Sequence, residues 1–178
     1  MKKSFFAGLI VSLSILFTAL SQQVFAQMQP DHAKWSFKVN RIGEEEAELV
    51  FTASIDDKWH LYSQNTSKGG PLPTVFTFTK TNEYSIQGKV MEPKPEEVMD
   101  DVFNVMVRFF KERKVVFKQK IKVLSPEAFT ISGKVEYQTC DENMCLSGKS
   151  KFSFKVEGNK NAAPIVVKDS VKKDTSKT

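Results

Sequence analysis

Thiols and imidazoles are scarce in this chain, and both scarcities exclude something. Its 178 residues hold two cysteines and two histidines. His32 and His60 show no paired spacing of the kind zinc sites use, so no metal or other cofactor is expected. A formal charge of +5 without a basic stripe of interleaved aromatics does not argue for nucleic acid. Gly148-Lys-Ser150 has the look of a phosphate-loop ending, but the glycine required five positions earlier is Asn143. The acidic pairs in Glu44-Glu-Glu46 and Glu96-Glu97 read as solvated turns rather than general acid/base pairs. No small-molecule substrate is expected. No segment keeps a helical apolar period for long, which excludes a helical bundle.

What is present begins with an export signal. Met1-Lys-Lys-Ser4 is positively charged, and Phe5 to Leu20 is a 16-residue uncharged apolar run. Ser21-Gln-Gln-Val-Phe-Ala26 ends in a small-residue cleavage pattern, so residues 1–26 read as a signal peptide. The run is just under the usual spanning length, which leaves a retained membrane anchor as the rival. No cysteine follows it, which argues against a bacterial lipid anchor. Loss of Lys2 and Lys3 lowers the charge from +5 to +3. The exported protein is expected in the periplasm or outside the cell, where disulfides persist.

From Trp35 onward the apolar period is two. Trp35, Phe37 and Val39 alternate with polar residues. So do Ala47, Leu49, Phe51, Ala53 and Ile55; then Val115, Phe117, Ile121 and Val123; then Phe129, Ile131, Val135 and Tyr137; then Phe152, Phe154 and Val156. Turn chemistry is expected at Ile42-Gly43, Lys68 to Pro73, Ser125-Pro126 and Ser147-Gly148. The expectation is an all-β, immunoglobulin-like antiparallel β-sandwich of seven or eight strands over residues 27–157. The fifteen phenylalanines read as core. Residues 158–178 lack apolar content and read as a disordered polar tail.

The two cysteines, Cys140 and Cys145, enclose Asp141-Glu-Asn-Met144. As an extended strand this stretch would span about 16 Å. A disulfide needs Cα atoms within roughly 7 Å, so bonding requires the chain to fold back. Asp141 and Asn143 are residues that turns favour. As a staple the closed loop contributes only about 2 kcal/mol, against nearly 5 for a loop of a hundred residues. A small loop at a strand end also leaves sulfur reachable by an incoming thiolate. On spacing alone, the structural and redox-active readings stay about equally open.

Three blocks of sequence carry a resemblance. Tyr137-Gln-Thr-Cys140, followed by Cys145, is similar to the cysteine segment of the amino-terminal periplasmic domain of the disulfide-interchange protein family DsbD. Asp57-Lys-Trp-His-Leu-Tyr62 looks like that family's Asp-Gly-aromatic-aromatic-Leu-Tyr segment. Asp101-Val-Phe103 falls where the family has an acidic-aromatic cap loop. Departures from the family pattern include Met106-Val-Arg108, which makes the candidate cap more apolar, and two more at the cysteines. The loop between the cysteines is one residue shorter, and Leu146-Ser-Gly-Lys149 replaces an aromatic-Pro-Pro.

The resemblance implies an immunoglobulin-like domain with the cysteine pair at one edge under the cap loop. Electrons would pass from a thioredoxin-like donor protein to oxidised periplasmic proteins, with a membrane electron carrier as a further partner. Cys145 would be the exchanging sulfur and Cys140 the resolving one. Tyr62 and His60, the latter where the family often has tyrosine, would line the site. Asp101 would influence thiol protonation and Phe103 would cover the disulfide. The chain would act as a stand-alone module, a protein-disulfide reductase component if active. The alternative is a non-enzymatic binding or assembly module with a structural disulfide.

Overall fold

The structure, a computed structural model, describes residues 30–162. The expected signal segment and residues 163–178 of the expected tail lie outside the described residues. Period-two patterning yields strands throughout: β1 Ala33–Arg41, β2 Glu46–Ile55, β3 His60–Tyr62, β4 Val75–Phe78, β5 Tyr84–Met91, β6 Glu96–Asp100, β7 Val105–Phe110, β8 Lys114–Val123, β9 Phe129–Cys140 and β10 Cys145–Val156. Every strand pairing is antiparallel. One sheet runs β1-β2-β8-β5, and the other runs β10-β9-β3-β7-β6 with β4 also paired to β9. The two form an immunoglobulin-like sandwich, all-β as the periodicity expects.

The core is an aromatic weave between the inner faces. Phe51 of β2 lies 4.7 Å from Phe76, 5.1 Å from Phe152 and 5.1 Å from Phe154, centroid to centroid. Phe117 of β8 meets Phe76 and Phe110. Each buried aromatic removes a large apolar area from water, and edge-to-face contacts add to that.

Two turn and strand expectations are corrected. There are ten strands among the described residues; the short β3 and β4 and the largely exposed β5 and β6 exceed the expected seven or eight. β6 is almost wholly exposed, and β5 breaks register between Gln87 and Met91 around Gly88, which has φ 70°. The carbonyl left unpaired there is satisfied by Gln119, a buried amide that donates from Nε2 to Gln87 O at 2.9 Å.

Ser147-Gly148, expected as a turn, lies inside β10. Gly148 sits there because it faces Tyr137 across the ladder, and a Cβ on it would fall 2.3 Å from that ring. Gly133 faces Phe152 in the same way, so each strand of the pair holds a glycine under its partner's aromatic. At the C-terminal end, Asn159 is buried and donates its N–H to Ser125 O at 2.7 Å. Residues 158–162 are thereby held against the β8–β9 turn.

Candidate functional site

The β9–β10 ladder runs in unbroken register from Phe129–Val156 to Cys140–Cys145. Its last rung is a disulfide, with Cα atoms 4.1 Å apart. Strand parity places Cys140 and Cys145 on the outward face of the sheet, opposite the aromatic core. The connecting hairpin is organised by Asp141, whose Oδ1 accepts the N–H groups of Asn143 and Met144, both at 2.8 Å. Those donors hold the Asp141 carboxyl below its usual range. The two cysteines are not equivalent: Cys140 is 2% exposed, whereas Cys145 is exposed.

Cys140 is covered by a second, small cluster made with Tyr62, Val107 and Phe109. β3 supplies its centre. His60 is the register partner of Cys140, and Tyr62 is the partner of Phe109, while Leu61 between them points into the main core. A tight turn delivers this short strand: Trp59 N–H bonds Asp56 O at 3.2 Å, and Lys58 takes a left-handed φ of 66°. Lys58 occupies the place where the resembling segment carries glycine, the residue that adopts this conformation without steric cost. Trp59 then stacks on His32 at 3.7 Å, and His32 Nδ1 lies 3.1 Å from Asp56 Oδ2.

His60 Nε2 and the Tyr62 hydroxyl are hydrogen-bonded at 3.1 Å, and the imidazole packs on Phe109 at 4.8 Å. Burial pushes the His60 pKa down, and Lys111 pushes it the same way; Asp141 and Glu96 oppose them more weakly. Burial pushes the Tyr62 phenol up, reinforced by Asp100. Both rings are therefore biased toward their neutral forms.

The β6–β7 hairpin forms the opposite wall. Its tip is set by Asp100, whose Oδ1 accepts from Val102 N–H at 2.9 Å and Phe103 N–H at 3.0 Å, and by Asn104 in a left-handed conformation. The tip projects Val102, 87% exposed, and Phe103, 46% exposed. Between the hairpin and the cysteine loop lies a cleft of about 650 Å³. All six residues singled out from sequence line it: Cys140, Cys145, His60, Tyr62, Asp101 and Phe103.

Phe109, Asp100, Met99 and Met144 also belong to the cleft and were missed. The alternation of Val105, Val107 and Phe109 was the available signal for the first. The others depend on where two hairpins meet.

Neighbouring contacts hold these walls in place. Tyr137, first residue of the cysteine motif, donates its hydroxyl to the Asp31 carboxylate at 2.7 Å. Burial, and then Asp31, push that phenol well above its ordinary value. Gln138 accepts Leu72 N–H at 2.6 Å on the other face. Thr66 Oγ1 accepts Arg108 N–H at 3.1 Å, and Glu92 gathers Ser63, Gln64 and Asn65, so the loop after β3 braces β7.

The fold and site are those of a two-sheet domain with a disulfide at the end of an edge strand, across a cleft from the β6–β7 hairpin. A family model described as thiol:disulfide interchange protein DsbD, N-terminal, matches residues 25–157. The chain belongs to this family.

Among solved structures, the N-terminal periplasmic domain of ScsB from Proteus mirabilis matches at TM-score 0.53 and 17% identity, over 79% of this chain. The chain spans 51% of that one. The reduced DsbD N-terminal domain of Neisseria meningitidis matches at TM-score 0.44 and 17% identity, over 70% of this chain and 86% of that chain. The complex between the DsbD and PilB N-terminal domains of Neisseria meningitidis matches at 0.42 and 14%, over 78% and 94%. No curated protein matches the chain in sequence.

Proposed function

We propose that the chain is an exported thiol–disulfide exchange module of the periplasm. It takes electrons from a thioredoxin-like partner and passes them to oxidised periplasmic proteins through Cys140–Cys145. The observation that carries this reading is the unequal exposure of the two cysteines on the outward face, Cys140 covered and Cys145 open. An in-line attack needs one reachable sulfur and one that leaves; Cys145 fits the first role and Cys140 the second. A structural staple has no use for that asymmetry. It also has little to hold, since the ladder beside it is already in register and the closed loop is worth only about 2 kcal/mol.

The remaining cleft residues take supporting roles. Phe103 and Val102 at the hairpin tip flank the disulfide and offer apolar contact to a docking partner. Asp101, on the same tip, disfavours a free thiolate until docking occurs. The exposed Met99 and Met144 provide adaptable apolar contact around the rim.

The test is a Cys140→Ala variant used as a trap. Incubated with thioredoxin-like proteins, it should accumulate a mixed disulfide through Cys145 that reductant dissolves. A reduction potential below about −300 mV together with no trapped partner would assign the pair to the structural class instead.

A further inference from the structure

Exchange at Cys140–Cys145 poses a proton problem at the covered sulfur. When a partner thiolate bonds to Cys145 Sγ, the disulfide breaks and its electron pair leaves on Cys140 Sγ. Cys140 is 2% exposed and packed among Tyr62, Val107 and Phe109. A bare thiolate is disfavoured in such surroundings. The cleft adds Asp100, Asp101, Asp141 and Glu142, whose carboxylates disfavour a nearby thiolate further. A proton must therefore be delivered on the spot.

We propose that His60, hydrogen-bonded to Tyr62, is the proton relay for Cys140. This deepens the exchange reading and rests on it. His60 is the register partner of Cys140 on the adjacent strand, and both line the cleft. Apart from the two cysteines, the titratable groups lining it among the described residues are His60, Tyr62 and the four carboxylates. Imidazole alone among these ordinarily titrates near neutrality.

The groups facing it are Tyr62 on β3, Glu96 on β6, Lys111 beyond β7, and Asp141 in the cysteine hairpin, with Asp100 acting on Tyr62. Burial and Lys111 outweigh the acids and favour the neutral ring.

The steps balance in both directions. In reduction, the partner thiolate bonds to Cys145, Cys140 leaves, and His60, having taken a proton from solvent, gives it to Cys140 as imidazolium. The partner's second thiolate then displaces Cys145, so the partner is oxidised by two electrons and the pair is reduced by two. In the forward transfer, Cys145 thiolate attacks a target disulfide, bonding to one target sulfur and releasing the other as thiolate. Neutral His60 takes the proton from Cys140, whose thiolate closes the disulfide and expels the target's thiolate. His60 acts on the leaving or resolving sulfur and leaves Cys145 untouched.

The oxidised full chain is reduced with dithiothreitol from about pH 5 to about pH 9, with rates divided by the reagent's thiolate fraction. The wild type should show a normalised rate rising about tenfold or more as pH falls through the His60 titration. His60→Gln should be flat, and Tyr62→Phe should keep the step at a shifted midpoint. A His60→Gln profile parallel to wild type, merely lower at every pH, overturns the relay.

NMR titration of His60 in the wild type needs no variant to fold. The His60 pKa should differ between the oxidised and reduced pair, and equal values overturn the relay. Dithiothreitol requires no docking, so the two readings fail separately. A pH step with no trapped protein partner leaves the relay standing and removes the exchange function. A trapped partner with an unchanged His60→Gln profile removes only the relay.

Discussion

Cys140 and Cys145 face each other across the last rung of one ladder, 4.1 Å apart at Cα, yet only Cys145 is open to solvent. The difference comes from what lies beside each strand. β9 has β3 on its far side, bringing His60 and the Tyr62–Phe109 pair over Cys140, whereas β10 is an edge strand.

In the reduced protein, iodoacetamide should therefore modify Cys145 at least about ten times faster than Cys140, since reactivity follows accessible thiolate. Mass spectrometry of the alkylated peptides at short times reads the ratio. Equal rates would mean that the cover over Cys140 does not persist once the disulfide opens.

Replacing both cysteines by alanine should leave the sandwich folded, at a cost of about 2 kcal/mol in urea unfolding. Far-UV circular dichroism should be unchanged. A loss near 5 kcal/mol or an unfolded product would restore the staple reading.

Gly148→Ala should destabilise the domain by about 1–3 kcal/mol, because the new methyl meets the Tyr137 ring within its van der Waals radius. The ring must shift, which also disturbs its bond to Asp31. Combining Gly148→Ala with Tyr137→Ala should recover part of the loss in a double-mutant cycle.

Lys58→Gly should stabilise the fold by up to about 1 kcal/mol, since a lysine held at φ 66° carries a strain that glycine does not. The gain is limited by the larger entropy glycine has in the unfolded chain. An unfolding midpoint that falls instead would show that the Lys58 side chain contributes more than its backbone costs.

All three tyrosines, Tyr62, Tyr84 and Tyr137, have phenols pushed above the ordinary value, in each case first by burial. The folded state thus favours the protonated phenol. Their contribution is complete below about pH 10 and is lost as pH rises beyond the unfolded value toward the folded one. Urea midpoints should fall steeply above about pH 10, and Tyr137→Phe should flatten that fall most. An equal slope in Tyr137→Phe would show that the phenol does not carry the effect.

The strands that were legible in the sequence are those with one wet and one dry face. β1, β2, β8, β9 and β10 alternate cleanly, and they build both inner walls of the sandwich. Gly148 misled because a lone glycine between polar residues carries turn chemistry. Its reason for being there, the Tyr137 ring eleven residues earlier, appears only once the ladder's register is known. β6 escaped notice because it pairs without burying a face.

At the site, the cysteines and the Trp59-His-Leu-Tyr62 block were readable as residue types. That His60 falls opposite Cys140 depends on β3 pairing with β9 across nearly eighty residues of chain.

By itself, the sequence determined the all-β class, the apolar faces and the two thiols, because period and residue chemistry are local properties. Only the tertiary structure decided which cysteine is covered, that His60 falls opposite it, and that a hairpin tip walls the cleft. Those facts follow from long-range strand pairing, whose register no local pattern encodes.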